Sequence, residues 1–248
     1  MNNIAIKVEA LNKSFKVLGG SVQILKHISF EINSYEFAVI YGPSGCGKST
    51  LLHTILGLEK PNSGTVTVLG KNIYDNYSED KLAIFRKEHI GTVYQQSNWI
   101  KAINVIENVA FPLTLLGVSR TERLERATRL LESVQMLDWA HYNPAELSSG
   151  QQQKVSLVRA LISDPQIIIA DEPTGNLDFE SGSNLMKLLK KLSTLHQKTI
   201  LMVTHDLDYL KLADKAINLF DGQVTKIYSP QINKLEIQDI SLHIKKHA

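Results

Sequence analysis

The sequence contains a single cysteine, Cys46, and no long run of apolar residues. One cysteine excludes an intramolecular disulfide and a cysteine-rich zinc site, and such low usage is typical of a reducing compartment. The longest apolar runs, such as the one at 167–170, are far shorter than the roughly 20 residues that cross a bilayer. Charges at Lys7, Glu9 and Lys13 also interrupt the apolar residues of the N-terminus. We therefore expect neither a membrane span nor a signal peptide.

An excess of charge of either sign is also missing, because 27 Lys and Arg residues are set against 25 Asp and Glu residues. A chain that must bind nucleic acid usually carries a pronounced basic surface, so we expect no nucleic-acid partner. Low-complexity segments and repeats of solenoid length are absent from the sequence as well. The 248 residues, 43% of them apolar, are enough for one large or two small domains.

Short apolar runs alternate with segments of helical periodicity along most of the chain. The spacing predicts strands at 5–8, 36–41, 65–69, 90–94, 166–170, 199–203 and 216–220. It predicts helices at 48–57, 104–116, 121–137, 150–163, 180–196 and 207–213. This alternation indicates a layered α/β core. From 98 to 163 the predicted helices follow one another without a strand, which indicates a helical insertion; after Pro230 the pattern fits either a strand or a helix.

The most specific motif follows the predicted strand at 36–41 and has the form G-x-x-x-x-G-K-[ST]. It consists of Gly42, Pro43, Ser44, Gly45, Cys46, Gly47, Lys48, Ser49 and Thr50. Glycines let successive backbone N–H groups point at phosphate oxygens, and the following helix adds the positive end of its dipole. In this motif the lysine lies near the β and γ phosphates and the serine hydroxyl near Mg²⁺. The alternative is a glycine-rich turn without a ligand.

Two adjacent carboxylates, Asp171 and Glu172, end the apolar strand at 167–170. Open α/β sheets bind their ligands at the carboxyl ends of their strands. Asp171 suits the coordination of Mg²⁺, and Glu172 suits the polarisation of an attacking water. The alternative is a solvated acidic turn before Pro173.

A third element, at 147–151, reads Leu147-Ser148-Ser149-Gly150-Gln151 and begins a predicted helix. Serine and glycine at a helix start are ordinary capping residues. About 20 residues before the acidic strand, however, this helix N-terminus could serve as a second cradle for phosphate.

Together these elements resemble the nucleotide-binding subunit of an ABC transporter, from residue 4 to about 226. In that resemblance 42–50 is the Walker A loop, 147–151 the signature, 167–172 Walker B and 175–178 the D-loop. The resemblance implies ATP and Mg²⁺ as cofactors and ATP hydrolysis as the activity. It implies catalytic roles for Glu172, His205 and Gln95, and metal binding by Ser49, Gln95 and Asp171. The implied nucleotide-binding residues are Phe15, all of 42–50, Ser148, Ser149, Gly150, Gln151 and Asp178.

The chain departs from the family pattern at two positions. Ser149 stands where the family usually has glycine, which adds a side chain near the phosphate of a partner subunit. Phe15 occupies the adenine-stacking position, where many members have tyrosine. Stacking needs only a ring face, so we expect Phe15 to suffice.

The resemblance also implies the fold, the domains and the partners. The expected fold is α/β, a P-loop NTPase (RecA-like) core with N-terminal antiparallel β elements and an inserted α-helical subdomain. The expected ATPase domain covers 1–228, with its core at 1–97 and 164–228, the helical subdomain at 98–163 and a C-terminal tail at 229–248. The implied assembly is a head-to-tail homodimer bound to integral-membrane permease subunits at the cytoplasmic face of the cell membrane.

Finer matches at 22–25, 95–98, 108–113, 150–153 and 170–178 resemble the lipoprotein-release, macrolide-export and antimicrobial-peptide-resistance ATPases. This branch implies export or release of a lipophilic or peptide-like cargo. A signalling or scaffolding ABC protein without cargo stays open as the alternative. A translation or DNA-repair ABC protein is disfavoured, because 248 residues hold neither a second such domain nor long coiled coils. The signature together with His205 disfavours a P-loop kinase or GTPase.

Two further residues carry expectations of their own. Trp99 follows Gln95 in a segment where the family receives the permease, so it is either an interface anchor or part of the packing of the helical insertion. Cys46 lies close to Lys48 and a helix N-terminus, which would favour the thiolate if the sulfur were exposed.

Overall fold

The structure is a computed structural model that describes residues 3–75 and 78–228. The predicted C-terminal tail at 229–248 lies outside these residues. The chain divides into two compact units, the first formed by Met1–Leu82 with Leu192–Ala248 and the second by Ala83–Lys191. This division into units does not test the expected domain boundaries, which stay predictions.

The strands are β1 (Ile4–Val17), β2 (Gly20–Asn33), β3 (Phe37–Tyr41), β4 (Ser63–Val68), β5 (Lys71–Asn72), β6 (Ile90–Tyr94), β7 (Ile167–Asp171), β8 (Thr199–Thr204), β9 (Lys215–Phe220) and β10 (Gln223–Tyr228). The helices are α1 (Lys48–Ile55), α2 (Glu79–His89), α3 (Val105–Leu115), α4 (Arg120–Ser133), α5 (Ser149–Leu161) and α6 (Phe179–Thr194). Short 3₁₀ helices lie at Leu137–Trp139, Pro144–Glu146 and Leu207–Leu212. None of the helices in the described ranges is both long and apolar enough to cross a bilayer.

The first unit contains an antiparallel and a mainly parallel sheet. The antiparallel sheet has the strand order β2-β1-β4-β5. In the other sheet β3 pairs in parallel with both β8 and β9, and β10 pairs antiparallel with β9. Every residue of β3 is buried, as is expected for a central strand that is covered on both faces. The strand therefore holds the start of the following glycine-rich loop rigidly.

The second unit contains the parallel pair β6 and β7 together with α3, α4 and α5, which share an apolar core. Buried members of that core include Val109, Leu131, Val155 and Val158. Between β6 and β7 the described chain forms helices and no strand. The sequence pattern predicted this element content for 98–163.

Several elements differ from the sequence pattern, and in β2 the cause is a local irregularity. The pattern did not predict β2, β5, β10 or α2, and the segment at 207–213 is a 3₁₀ helix where a helical pattern was predicted. In β2, His27 has a φ of 54°. The buried residues on either side of it, Leu25 and Ile28, are three positions apart instead of two. This irregularity breaks the period of two by which a strand is recognised.

Candidate functional site

The glycine-rich loop joins the buried β3 to α1, and α1 begins without a capping side chain. Its N-cap residue is Gly47, with a φ of 104°, and its first turn contains no acidic residue. By contrast α3, α4 and α5 begin on side-chain caps from Asn104, Ser119 and Ser148. The first-turn N–H groups of α1 are therefore not satisfied by a cap, which is the arrangement that binds phosphate at a helix N-terminus.

Close backbone contacts position this loop. A Cβ atom on Gly42 would lie 2.0 Å from the carbonyl oxygen of Leu219, so only glycine fits where the loop leaves β3. Further along, the N–H of Gly222 donates to the carbonyl oxygen of Cys46 at 3.1 Å. The loop thus rests on β9 and on the turn that follows it.

Lys48 is held inside the loop, with 7% of its surface exposed. Its Nζ donates to the carbonyl oxygens of Gly42 at 2.9 Å and Pro43 at 2.8 Å. Ser44 and Ser49 are exposed, and Thr50 is half-buried in the first turn of α1. The loop therefore combines one fixed cation with hydroxyls open to solvent.

A thiolate at Cys46 was expected only if the sulfur were exposed, and the structure does not meet that condition. The side chain is buried, with 6% of its surface exposed. Burial raises the pKa of the thiol, and the nearby Lys48 ammonium opposes that increase only in part. Lys48 Nζ lies 4.0 Å from Sγ. The neutral thiol is thus favoured, because the effect of desolvation on the pKa is larger than the opposing effect of the Lys48 charge.

His205 follows a strand that is aligned with β3. In the parallel register of β3 and β8, Tyr41 lies opposite Thr204. Gly42 and His205 therefore leave the same edge of the sheet, at the carboxyl ends of neighbouring strands. The imidazole of His205 is exposed to solvent.

Phe15 lies in β1 of the same unit, and 37% of its surface is exposed. Lys13 Nζ lies 4.8 Å from the centroid of its ring, within the range of a cation–π contact. The ring is open enough to stack on a base.

In the second unit, Gln95 and Glu172 follow neighbouring parallel strands, as Gly42 and His205 do in the first unit. In the parallel register of β6 and β7, Tyr94 lies opposite Asp171, so the two predicted catalytic residues follow aligned strand ends. Glu172 has a φ of 45°, which is unusual for a residue with a side chain and is found where the surroundings hold a strained backbone. Both carboxylate residues, Asp171 and Glu172, are half-buried.

The side chain of Gln95 lies against the segment that follows Glu172. Its Nε2 donates to Oδ1 of Asn176 at 3.4 Å, and a Cβ atom on Gly175 would lie 2.6 Å from the same Nε2. The structure therefore brings the predicted Gln95 together with the chain on the carboxyl side of Glu172.

The signature segment is a capping box at the start of α5. Ser148 Oγ accepts from the N–H of Gln151 at 3.3 Å, and Gln151 Oε1 accepts from the N–H of Ser148 at 2.8 Å. The S-x-x-Q spacing is the sequence signal for this motif. Ser149, between them, is exposed. The serine and glutamine thus have a structural role beside any contact with a nucleotide.

The start of α6 lies beside the start of α5. A Cβ atom on Gly150 would lie 2.7 Å from Oγ of Ser181. The carboxylate of Asp178 accepts from the N–H of Ser181 at 2.8 Å and from its hydroxyl at 2.9 Å. These hydrogen bonds lower the pKa of Asp178. The predicted signature and D-loop residues are therefore brought together through Ser181.

Sequence reasoning missed three polar side chains of α5 that bind the segment around Gln95. Trp99 Nε1 donates to Oε1 of Gln152 at 2.9 Å, and Arg159 donates to the carbonyl oxygens of Ser97 and Asn98. The third residue, Gln153, is buried. Polar residues at buried positions of an amphipathic helix are the signal that could have found it.

A phosphate-binding loop between a buried strand and a helix, with carboxylates at the end of a parallel strand, defines a P-loop NTPase. The chain also matches the family described as "ABC transporter" over residues 25–175. It belongs to that family.

Relatives are found in two named systems. The lipoprotein-releasing system ATP-binding protein LolD of Bacteroides thetaiotaomicron is 39% identical over 221 residues, which are 89% of this chain and 99% of LolD. The macrolide export ATP-binding/permease protein MacB of Vibrio parahaemolyticus is 39% identical over 224 residues, which are 90% of this chain and 34% of MacB. These similarities confirm the expected branch of the family.

The fold is also similar to a solved structure of the ATP-binding cassette MJ0796, a protein of Methanocaldococcus jannaschii. That dimeric structure represents a post-hydrolysis state bound to ADP and Pi. It is 36% identical, with a TM-score of 0.84, and the match covers 92% of this chain and 100% of that chain. The chain is therefore an ATP-binding subunit of an ABC transporter and an ATPase, with the expected α/β P-loop fold.

Proposed function

We propose that this chain closes as a homodimer on ATP and drives an integral-membrane permease that exports or releases a lipophilic or peptide-like cargo. The proposal is carried by the similarity to MJ0796, which is a dimer in the structure that holds ADP and Pi. The names of LolD and MacB, which refer to lipoprotein release and macrolide export, support the cargo class. In this proposal the chain works at the cytoplasmic face of the membrane, attached through the permease.

The first unit binds the phosphates. The uncapped N–H groups of α1 and the Lys48 ammonium provide positive charge, and Lys48 exchanges its bonds to loop carbonyls for bonds to phosphate oxygens. The exposed ring of Phe15 stacks on the adenine. His205 contacts the γ-phosphate from the neighbouring strand end. These contacts hold the phosphoryl group for attack, and positioning supplies most of the rate in this chemistry.

Glu172 acts as the base in the second unit. Its carboxylate accepts a proton from the attacking water, and a positioned base contributes about 10²- to 10⁴-fold. The backbone of Glu172 is strained, and the Gln95 side chain donates a hydrogen bond to Asn176 on the segment that follows Glu172. The exposed signature residues Ser148 and Ser149 face the nucleotide of the partner protomer.

Magnesium fits the donor atoms present. The residues expected to hold it are Ser49, Gln95 and Asp171, which offer a hydroxyl, an amide oxygen and a carboxylate, and Mg²⁺ prefers such hard oxygen ligands. When bound, the ion neutralises phosphate charge and polarises the transferred group. Ser49 is exposed at the start of α1, so its hydroxyl is available for this role.

The test of the dimer uses Glu172→Gln. This variant should bind ATP, hydrolyse it at least about 100-fold more slowly, and accumulate as a dimer in light scattering. Lys48→Ala is the matched control, because it should lose ATP affinity and stay monomeric at the same ATP concentration. A Glu172→Gln protein that stays monomeric at saturating ATP, alone and with its permease, would overturn the homodimer.

The test of transport uses the chain reconstituted with its permease in membranes. Cargo should stimulate ATP hydrolysis, and Glu172→Gln should abolish cargo movement. Activation of the membrane partner by ATP without any stimulation by cargo would instead identify a signalling subunit.

A further inference from the structure

One buried amide group joins the two segments that carry the proposed hydrolytic residues. Gln153 lies on α5, with 4% of its surface exposed. Its Nε2 donates to the carbonyl oxygens of Tyr94 at 2.9 Å and Pro173 at 2.8 Å. Its Oε1 accepts from the hydroxyl of Ser97 at 3.0 Å. Both N–H donors and the acceptor of the side chain are thus used inside the second unit.

The positions of these partners give the contacts a functional meaning. Tyr94 immediately precedes Gln95, and Pro173 immediately follows Glu172. The register of β6 and β7 ends with the pair Tyr94 and Asp171. Gln153 therefore binds the two chain segments where they leave their strands. Gln153 thus gives a donor to a buried carbonyl oxygen at Pro173 and to a partly buried one at Tyr94, and the loss of a donor at such positions is unfavourable.

Gln153 also belongs to the helix that begins with the signature. Ser148 is the N-cap of α5, and Gln153 lies in the second turn of the same rigid helix. Gln153 therefore links α5 directly to both segments, the one that carries Gln95 and the one that carries Glu172. Arg159, further along α5, binds only one of the two segments, through the carbonyl oxygens of Ser97 and Asn98.

We propose that Gln153 is a positioning residue for ATP hydrolysis, because its amide sets the spacing between the segments that carry Gln95 and Glu172. It contacts neither ATP nor the attacking water and acts through the two carbonyl oxygens that it binds. The proposal deepens the function proposed above and rests on the roles given there to Gln95 and Glu172.

The main test replaces Gln153 with methionine, which is similar in length and lacks both donors. The kcat for ATP hydrolysis should fall about 10- to 100-fold, because small misplacements of reacting groups lower the rate by such factors. The ATP concentration for half-saturation should stay within about threefold, because the phosphate-binding groups that belong to the first unit are unchanged. A fall in ATP affinity with kcat preserved would overturn the proposal.

The neighbouring Gln152 provides a matched control on the same helix. It also makes two side-chain hydrogen bonds, from Nε2 to the carbonyl oxygen of Leu147 and to Oε1 from Trp99. Neither partner adjoins Gln95 or Glu172. Gln152→Met should lower the melting temperature and leave kcat within about threefold. Equal losses of kcat in Gln152→Met and Gln153→Met would reduce Gln153 to a general stabiliser of α5 and overturn the proposal.

Hydrogen exchange in the absence of nucleotide gives a readout that does not depend on hydrolysis. In Gln153→Met, amide exchange should increase at 95–98 and at 172–176, whereas Gln152→Met should affect mainly the residues near 99 and 147. If the methionine variant does not fold, Gln153→Asn serves instead, because the shortened amide reaches at most one of the two carbonyl groups. Unchanged exchange at both segments in a folded variant would contradict the proposal.

Glu172→Gln, measured in the same assay, separates this proposal from the function on which it rests. If Glu172→Gln hydrolyses ATP at the wild-type rate, the role of Glu172 fails. If Glu172→Gln is slow and folded Gln153→Met or Gln153→Asn has the wild-type kcat, only the role of Gln153 fails.

Discussion

The guanidinium group of Arg159 lies over the indole ring of Trp99, with its Cζ 4.5 Å from the ring centroid. Trp99 also packs against the apolar core of the second unit and donates its Nε1 hydrogen to Gln152. Burial lowers the pKa of Arg159, and the ring face compensates part of the lost hydration. These contacts favour packing within the helical segment as the role of Trp99, in preference to an anchor for a membrane partner.

Trp99→Ala should therefore destabilise the protein by about 3 kcal/mol, the lower end of the range for large aromatic residues, because the ring is only partly buried. Thermal unfolding of the full chain measures the effect. Trp99→Phe is the control, since it keeps a ring face for Arg159 and loses the hydrogen bond to Gln152 and a smaller part of the packed surface. An unchanged melting temperature together with lost cargo stimulation would identify Trp99 as an interface anchor.

Substitutions at the adjacent signature positions Ser149 and Gly150 should have different effects: the first should be tolerated, and the second should destabilise the protein. Ser149 is exposed, so Ser149→Gly should leave the ATPase rate equal to or higher than that of the wild type. Gly150→Ala should destabilise the protein by about 1–3 kcal/mol, because the added Cβ would lie 2.7 Å from Oγ of Ser181. Unfolding and ATPase measurements on both variants check this contrast.

The second change Ser181→Gly should restore part of the stability of Gly150→Ala, because it removes both nearby atoms of Ser181.

For Ser149, a collapse of ATP hydrolysis in Ser149→Gly would contradict the prediction and assign a specialised role to Ser149.

Cys46 should react slowly with a maleimide, because the thiol is buried and its pKa is raised. We expect alkylation of the native protein at neutral pH to be at least about tenfold slower than alkylation of the unfolded chain. The rate should increase with pH, and ATP should slow it further. As the chain has one cysteine, labelling followed by mass spectrometry reports on this site alone.

Cys46→Ser should hydrolyse ATP normally, since water-driven phosphoryl transfer needs no thiol. Loss of hydrolysis in a folded Cys46→Ser protein would contradict this assignment.

Asp178 should make stability depend on pH below about pH 4. Its pKa is lowered from 3.8 in the folded protein, chiefly by the N–H and hydroxyl of Ser181. The contribution of the carboxylate is therefore fully present above the unfolded pKa, and it is lost as the pH falls through the folded pKa. The difference in melting temperature between wild type and Asp178→Asn should shrink over that acidic range.

Ser181→Ala keeps the backbone donor and removes the hydroxyl. In the Ser181→Ala background, the difference in melting temperature caused by Asp178→Asn should vary less with pH. If that difference varies equally with pH in both backgrounds, the hydroxyl is excluded as a cause of the lowered pKa.

The sequence alone predicted the features that depend on short-range spacing. The loop at 42–50 was recognisable because a strand, a glycine-rich turn and a helix follow one another within a few residues. The strand that ends in Asp171 and the helix that begins beside Ser148 were found for the same reason. Their order along the chain was sufficient to predict the family and the α/β fold, which the comparisons confirm.

Features that depend on which segments meet were decided by the tertiary structure. Cys46 is in a favourable sequence context for a thiolate, yet burial reverses the expected direction of its pKa shift. In the sequence, Gln153 is one of several polar residues that follow the signature. Its role depends on the packing of α5 beside β6, which brings the Gln153 amide to the carbonyl groups of Tyr94 and Pro173. Desolvation and hydrogen bonding between distant residues depend on three-dimensional proximity, which local periodicity does not contain.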